Sequence, residues 1–349
     1  MQIASSARTA ETPAPPADVL PLEYVLPLRR GRDADRREAE ELAAYLARLA
    51  TWLPVTVVDG SEPEVWDRHH ALFGPHVRHV VPQPRPGRNG KVAGVVTGLT
   101  LAREELVVIA DDDVRWERDG LERLVGLLEG CALVRPQNVF AELPWHARWD
   151  TARSLLNRAV GADYPGTYGV RRSAFLAAGG YDGDVLFENL ELARTLRAAG
   201  GCERVVPDLY VARLPPTTRH FLGQRVRQAY DDLAQPARLV VEAALVPAVL
   251  ALTALARRHA TGRAGRWGLA LLVAGSVGLA EVGRRRAGGA EVYPRGAALW
   301  APLWLAERAV CVWLALGHRA RGGVPYGGQR IRVAAHSVRH LRPVVARLR

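Results

Sequence analysis

Five apolar residues followed by three aspartates are the feature that most constrains this chain. Residues 106–110 read Leu-Val-Val-Ile-Ala, and Asp111, Asp112 and Asp113 follow directly. A short run this rich in β-branched residues predicts a strand that is buried on both faces, as in a parallel sheet. Ligands of open α/β sheets bind outside the carboxyl ends of the strands. The sequence therefore predicts a ligand site where this strand ends.

The aspartates predict a metal site. Side chains two apart on an extended chain point the same way, so Asp111 and Asp113 can converge on one ligand. Converging carboxylates repel each other unless a cation lies between them, and their oxygens suit Mg²⁺ or Mn²⁺, which also bind substrate phosphates. The alternative is a polar turn in which one aspartate caps the next helix. Asp119, with Glu122 three residues on, fits that cap better, so we predict a metal–diphosphate site.

Strands and helices alternate around this feature. The expected strands are residues 24–28, 55–58, 77–81, 106–110 and an extended piece at 132–135, and the expected helices are residues 36–50, a helix from Lys91, 121–128, 145–159, 188–199 and 221–233. This alternation indicates βαβ units, and therefore an α/β fold with a Rossmann-like, mostly parallel sheet. We expect this domain to cover residues 21–237. Residues 1–20 are rich in Ala, Pro, Thr and Ser, and their composition predicts a disordered leader.

The positive charge is concentrated in the C-terminal third. The formal net charge is +11, and residues 239–349 contain 17 arginines, no lysine and four glutamates, so residues 1–238 are close to neutral. A nucleic-acid-binding domain would carry its positive charge on the folded module. We therefore expect no nucleic-acid partner. Arginines beside apolar runs indicate a membrane surface instead.

A helical membrane region is predicted over residues 238–318. It contains three apolar runs, at residues 239–256, 267–282 and 297–316. Each approaches the length of about 20 residues that spans a bilayer. Three buried helices of a second soluble domain are the alternative. Arginine clusters, and tryptophans near the ends of the runs, favour the membrane.

Two observations predict that the α/β domain lies on the cytosolic side of a cell membrane. The basic tail, residues 319–349, has eight arginines and no acid, and such segments stay on the cytosolic side. Two crossings plus one interfacial segment agree with that side, whereas three crossings would place the tail outside. Cys131, Cys202 and Cys311 are odd in number and share no CxxC spacing. They indicate neither a disulfide framework nor a zinc site, which fits a reducing compartment.

Five further motifs stand in a fixed order around the aspartates. In chain order the set is Asp59-Gly60-Ser61, Asn89-Gly90-Lys91, Asp111-Asp112-Asp113, Gly179-Gly180 with Asp182, Glu188-Asn189 with Glu191, and Gln224 with Arg227. Each motif is weak alone, but their order and spacing over about residues 22–236 resemble the family 2 glycosyltransferases of GT-A fold. The apolar segments that follow resemble the processive and lipid-linked members, which transfer sugars at a membrane.

The resemblance implies roles for these residues. Asp59 would hydrogen-bond the nucleotide base, and Lys91 would lie beside the base or the diphosphate. Asp111 and Asp113 would hold Mg²⁺ or Mn²⁺ against the diphosphate, an electrostatic role. Gln224 and Arg227 would close over the donor, with Arg227 pairing with phosphate oxygens.

The general base is implied to lie near Glu188. The family usually has Glu-Asp at this motif, but this chain has Glu188-Asn189. An amide cannot accept a proton at neutral pH, so the base would be Glu188, the nearer candidate, or Glu191. If neither serves, the chain would be a silent nucleotide-binding scaffold.

The implied activity is a metal-dependent, inverting sugar transfer. The donor would be a nucleotide-diphosphate sugar, with a UDP-sugar favoured, and the acceptor a lipid or polysaccharide at the cytosolic membrane face. A polyprenyl-phosphate sugar synthase is the nearest alternative.

Overall fold

An eight-stranded sheet organises the N-terminal two-thirds of this computed structural model, which describes residues 19–258 and 262–347. The strands are β1 (Glu23–Leu28), β2 (Val55–Asp59), β3 (Arg78–Val80), β4 (Leu106–Ala110), β5 (Val114–Arg115), β6 (Leu133–Phe140), β7 (Thr167–Arg171) and β8 (Glu203–Arg213). Their spatial order is β3-β2-β1-β4-β7-β6-β8-β5. Strands β3, β2, β1 and β4 are parallel, and β7 runs antiparallel between β4 and β6. The predicted mostly parallel α/β sheet is therefore confirmed.

Helices cover both faces of the sheet. They are α1 (Arg36–Ala50), α2 (Pro63–Phe73), α3 (Gly90–Leu101), α4 (Arg118–Leu128), α5 (Trp145–Val160), α6 (Arg172–Ala177), α7 (Glu188–Ala198) and α8 (Thr218–Tyr230). Apolar side chains of α1, α2 and α4 pack on one face, and those of α3, α6 and α7 on the other. Val108 of β4 belongs to the first layer and Val107 to the second, so β4 is buried on both faces, as predicted.

Two predictions about local structure need correction or qualification. Asp119 does not cap α4, because that helix starts at Arg118 and its N-cap Glu117 makes no side-chain hydrogen bond. Asp119 lies in the first turn instead. The predicted leader, residues 1–20, falls outside the described residues except for its last two positions.

The helical region follows Pro236. Its helices are α9 (Pro236–Ala256), α10 (Gly262–Arg285), α11 (Gly289–Val292) and α12 (Ala301–Ala320). Three stretches, Pro236–Ala256, Gly262–Val292 and Ala297–Ala320, are long and apolar enough to cross a membrane. Helices α9 and α10 lie side by side, and the end of α10 packs closely on α5. A Cβ at Gly283 would lie 1.8 Å from the carbonyl oxygen of Leu155, so this approach needs glycine.

The C-terminal segment returns to the α/β domain. A two-stranded hairpin of β9 (Val324–Tyr326) and β10 (Gln329–Ile331) is followed by α13 (Val338–Ala346), which packs on α7. The backbone N–H groups of Leu186 and Phe187 donate to the carbonyls of Val333 and Ala334, at 3.0 and 2.8 Å. We call residues 321–337 the C-terminal strap. The segment that was expected to be a basic tail is thus packed against the domain.

Candidate active site

A cavity of about 1280 Å³ opens at the carboxyl ends of β1, β2 and β4. Its walls come from the strand ends, the start of α3, helix α8 and the strap. The side chains that matter below are Lys91, Asp111, Asp113, Gln224, Arg227 and Tyr326. The cavity therefore lies at the sheet edge where the sequence predicted a ligand site.

Lys91 joins two carboxylates at the floor of this cavity. It is the only lysine in the sequence, and it stands in the first turn of α3. Its Nζ lies 2.5 Å from Asp111 Oδ1 and 2.6 Å from Glu188 Oε1. Burial favours a lower pKa for Lys91, but Asp111 and Glu188 outweigh it and raise the pKa. The ammonium group therefore stays charged between the end of β4 and the start of α7.

Glu188 has the environment of a general base. It is 8% exposed, and its Oε2 has no hydrogen-bond partner among the described residues. Burial raises the pKa of Glu188, the Lys91 ammonium opposes that rise, and Asp111 adds to it. A carboxylate with a raised pKa accepts protons well near neutral pH. Its neighbour Asn189 donates from Nδ2 to the carbonyl of Pro165 at 3.0 Å, a structural contact.

One carboxylate oxygen of Asp113 lacks a hydrogen-bond partner among the described residues. Its Oδ2 accepts from Arg213 Nε at 2.8 Å, but its buried Oδ1 has no hydrogen-bond partner within the described part of the chain. Buried polar atoms are normally satisfied, so such an atom indicates that a ligand or ion binds there. Asp111 and Asp113 offer carboxylate oxygens from neighbouring positions, and this donor set fits Mg²⁺ or Mn²⁺. Asp112 is engaged elsewhere, with Arg30 at 2.7 Å.

Asp59 is not placed for the predicted contact with a base. Its side chain is fully buried, and Oδ2 lies 2.6 Å from His69 Nδ1 and 3.2 Å from His79 Nε2. Burial favours a higher pKa for Asp59, but hydrogen bonds from these histidines and Ser61 outweigh it and lower the pKa. Asp59 does not line the cavity. The carboxylate instead fixes α2 and β3 to the end of β2.

Glu191 is not placed to be the general base. It is fully buried, and its carboxylate accepts from His336 N at 2.7 Å and pairs with His336 Nδ1 at 2.9 Å. Both oxygens are thus used by the C-terminal strap. Of the two candidates left open by the sequence, only Glu188 keeps a carboxylate oxygen without a hydrogen-bond partner among the described residues.

Gln224 and Arg227 both face the cavity from α8, one turn apart. Gln224 is hydrogen-bonded to His220. The Arg227 guanidinium lies over the ring of Tyr326, 5.3 Å from its centroid. Among the described residues no carboxylate forms an ion pair with Arg227, so its charge is available to an anionic ligand.

A smaller cavity, of about 240 Å³, adjoins the first. Glu188 lines only the smaller cavity, whereas six residues line both: Lys91, Asp111, Arg213, Gln224, Arg227 and Tyr326. Four further lining residues come from α5, α9, α12 and the turn after α8: Arg153, Arg238, Arg308 and Asp231. Burial raises the pKa of Asp231 to about 8.

Sequence reasoning missed these four residues and Tyr326. Only Arg308 had a signal, as a charge inside an apolar run. The others are brought to the site by helix packing and by the return of the strap, which no local pattern reveals.

The mostly parallel sheet and the acidic end of β4 agree with the GT-A fold that the motifs predicted. Residues 68–142 match the family model described as Glycosyl transferase family 21. This stretch runs from within α2 to just after β6 and includes Lys91 and the three aspartates. The chain is therefore a glycosyltransferase, as the motifs predicted, although the matching family is numbered 21 and the motif order resembles family 2.

Solved structures with related architecture are distant. A mannosyltransferase from Pyrobaculum calidifontis, in complex with GDP-Man and Mn²⁺, is 18% identical with a TM-score of 0.47, covering 87% of this chain and 91% of that chain. Glucosyl-3-phosphoglycerate synthase from Mycobacterium tuberculosis, in complex with Mn²⁺, UDP and phosphoglyceric acid, is 20% identical with a TM-score of 0.38, covering 61% of this chain and 77% of that chain. Likeness at this level establishes no shared activity. No curated protein matches the sequence.

Proposed function

We propose that this protein transfers a sugar from a nucleotide-diphosphate sugar, with a UDP-sugar as the favoured donor, to an acceptor hydroxyl with inversion. One observation carries the proposal. The Lys91–Asp111–Glu188 cluster lies where two cavities meet: Lys91 and Asp111 line both, Asp113 lines only the larger one and Glu188 only the smaller one. This arrangement supports a donor in the larger cavity and an acceptor in the smaller one.

The donor site has the charges that a diphosphate requires. Asp111 and Asp113 would hold Mg²⁺ or Mn²⁺, which neutralises the diphosphate leaving group when it is bound. Arg227 has no carboxylate partner among the described residues and can pair with phosphate oxygens. Gln224, on the same face of α8, would contact the donor beside it.

Glu188 would remove the proton of the acceptor hydroxyl. Glu188 lines the smaller cavity, its Oε2 has no hydrogen-bond partner among the described residues, and the Lys91 ammonium opposes the rise that burial gives the pKa of Glu188. The acceptor oxygen would then attack the sugar from the side opposite the diphosphate. The silent scaffold is disfavoured, because Asn189 replaces no group that this geometry needs.

A polyprenyl-phosphate acceptor is the second candidate. Arg153, Arg238 and Arg308 line the smaller cavity and support an anionic acceptor. Each is already paired with a carboxylate, however: Arg153 with Asp163, and both Arg238 and Arg308 with Asp232. A phosphate acceptor is ionised without a base. Glu188→Gln would therefore stop transfer to a hydroxyl and leave transfer to a phosphate largely intact.

The helical region would attach the enzyme to the cytosolic face of the cell membrane. Only 6% and 17% of the apolar windows of the first two stretches are buried, against 39% for the third. In α12, Arg308 pairs with Asp232 of the turn after α8 at 3.1 Å. We place α9 and α10 in the bilayer as an outgoing and a returning helix, with α12 held against the domain. A membrane lipid or a growing glycan is then the nearest acceptor.

Nucleoside-diphosphate release tests the proposal. The full chain, purified in detergent, is offered a panel of UDP- and GDP-sugars with Mn²⁺ or with EDTA. We expect release with one donor, and loss of release with EDTA and in Asp113→Asn. Asp208→Asn is the matched control, because Asp208 is an exposed carboxylate paired with Arg123. Metal-independent release, or full release by Asp113→Asn, would contradict the proposal.

A further inference from the structure

We propose that the C-terminal strap is part of the active site, and that Tyr326 is the residue through which it positions Arg227. This inference rests on the proposed function. Tyr326 comes more than 80 residues after the last motif of the glycosyltransferase domain, beyond all three apolar helices. It nevertheless lines both cavities, beside Lys91 and Asp111.

The Tyr326 ring contacts Arg227, the arginine of α8 that lines both cavities and to which we assign the phosphate contact. The Arg227 guanidinium carbon is 5.3 Å from the ring centroid, within the range of cation–π attraction. An arginine side chain without an ion pair has many rotamers, and stacking on an aromatic face restricts them. The ring therefore keeps Arg227 directed into the cavity before the donor arrives.

Asn89 connects Tyr326 to the rest of the site. The Tyr326 hydroxyl donates to Asn89 Oδ1 at 3.3 Å, and the same oxygen accepts from the backbone N–H of Lys91 at 3.1 Å as the cap of α3. Asn89 Nδ2 donates to the carbonyl of Val185 at 3.0 Å. One buried amide thus joins the strap, the start of the Lys91 helix and the loop that leads to Glu188.

The strap also fixes the Glu188 loop directly. Leu186 and Phe187, the two residues before Glu188, donate backbone hydrogen bonds to Val333 and Ala334 of the strap. Val185 and Val333 form a parallel β-bridge. Glu188 and Arg227 are therefore both held by a segment that follows the apolar helices in the chain.

The test compares three substitutions of Tyr326 in the full chain. Tyr326→Ala removes the ring, so we expect the donor KM and the Kd for UDP with Mn²⁺ to rise by about 3- to 30-fold, the range of a cation–π contact, with a smaller change in kcat. Tyr326→Trp keeps an aromatic face and should restore a KM close to that of the wild type. Tyr326→Phe keeps the ring and loses only the bond to Asn89, so KM should change little while kcat falls.

Combining Tyr326→Ala with a substitution of Arg227 tests whether Tyr326 positions Arg227 or only stabilises the fold. In Arg227→Met, the cation that lies over the ring is gone, so Tyr326→Ala should add little further loss of UDP binding. Gln329→Ala is the matched control, because Gln329 is exposed and pairs with Tyr326 across the hairpin. It should leave UDP binding and turnover unchanged.

Two results would overturn the inference, and they differ from failure of the proposed function. Equal Kd values for UDP in the wild type and Tyr326→Ala would show that the ring has no role in donor binding. Losses of the same size in the Arg227 and Arg227→Met backgrounds would show that Tyr326 does not act through Arg227. Absence of UDP or GDP binding by the wild type would instead refute the proposed function, and this inference with it.

Discussion

Lys91 lies between two carboxylates that the proposed reaction uses in different ways. Asp111 has to stay ionised to bind a cation, whereas Glu188 has to exchange a proton. Lys91 contacts both, so its charge stabilises both ionised forms. The same ammonium group therefore sets the strength of the base and keeps the acidic floor of the cavity from repelling a diphosphate.

Removal of the Lys91 charge should shift the pH dependence of kcat. Lys91→Met removes the group that opposes the rise in the pKa of Glu188. The pKa should rise further, and since Glu188 acts in its ionised form, the acidic limb of the kcat profile should shift to higher pH. The measurement is kcat for sugar transfer between pH 5 and pH 9. An acidic limb that stays in place would show that Lys91 does not tune the base.

Gly166 limits the space around Asp111. A Cβ at position 166 would lie 2.5 Å from Asp111 Oδ2, too close for either group to keep its place. Gly166→Ala should therefore weaken metal binding by about 10- to 100-fold, as expected when support of a metal ligand is lost. The readout is the Mn²⁺ concentration that half-saturates UDP binding. Gly126→Ala, with open space around its Cβ, should leave that concentration unchanged.

The sequence indicated Asp111, Asp113 and Glu188 as site residues. It could not show which of Glu188 and Glu191 is better placed to be the base, or that Asp59 is bound by histidines. Histidines that no local pattern connects with Asp59 or Glu191 bind both of these carboxylates. His69 and His79 take the Asp59 carboxylate, and His336 takes Glu191, 145 residues along the chain. A motif shows which side chain stands at a strand or helix end. It does not show which residue from elsewhere in the fold will bind that side chain.

Among the elements, the strap was the least predictable. Its strands have only three residues each, and the residues around them are rich in arginine and glycine, so the strap shows no apolar period and resembles a solvated tail. Strand β8 was also missed, because Pro207 interrupts it and Arg204 and Val205 are exposed, and proline argues against an interior strand. Strands and helices with a clear apolar pattern, such as α1 and β4, appear where they were expected.

The contact between Cys131 and Cys202 was likewise not predictable from the sequence alone. Their sulfur atoms are 3.1 Å apart, although both cysteines are free thiols. The spacing along the sequence indicated no pairing, and only the adjacent starts of β6 and β8 bring the two residues together.

Docking of the strap should depend on pH through His336. The hydrogen bond with Glu191 raises the pKa of His336, and the charges of Glu191 and Asp182 add to that rise against burial. A folded-state pKa above the unfolded value means that the stabilisation is complete below about pH 6.5 and is lost as pH rises through the folded pKa. The Tm difference between wild type and His336→Gln should therefore be large at pH 6 and shrink at high pH. A Tm difference that grows with pH would contradict this role.

At the scale of the whole molecule, the chain leaves the domain before α9 and returns to it at the strap. Both ends of the helical region are thus tied to one body, as the bonds from Arg238 to Asp232 and from His336 to Glu191 show. Any helices that cross a bilayer must then cross it an even number of times. This agrees with two crossings and one helix at the surface, the arrangement that the arginine-rich C-terminus favours.

Thiol labelling can measure on which side of the membrane the strap lies. In a background with the three cysteines replaced by serine, Gln329→Cys on the strap and Asp208→Cys on the domain should react with a membrane-impermeant thiol reagent from the same face of sealed vesicles. Both positions are exposed or half-exposed in the structure. Labelling from opposite faces would refute an even number of crossings.

The most direct test of the account is a comparison of chemistry and binding in Glu188→Gln. The account predicts that sugar transfer to a hydroxyl acceptor falls by at least about 100-fold, the scale of general-base catalysis. The Kd for UDP with Mn²⁺, measured by calorimetry on the same preparation, should stay within a few-fold of the wild-type value. Transfer at the wild-type rate, with the nucleotide still bound, would contradict the assignment of Glu188 as the base.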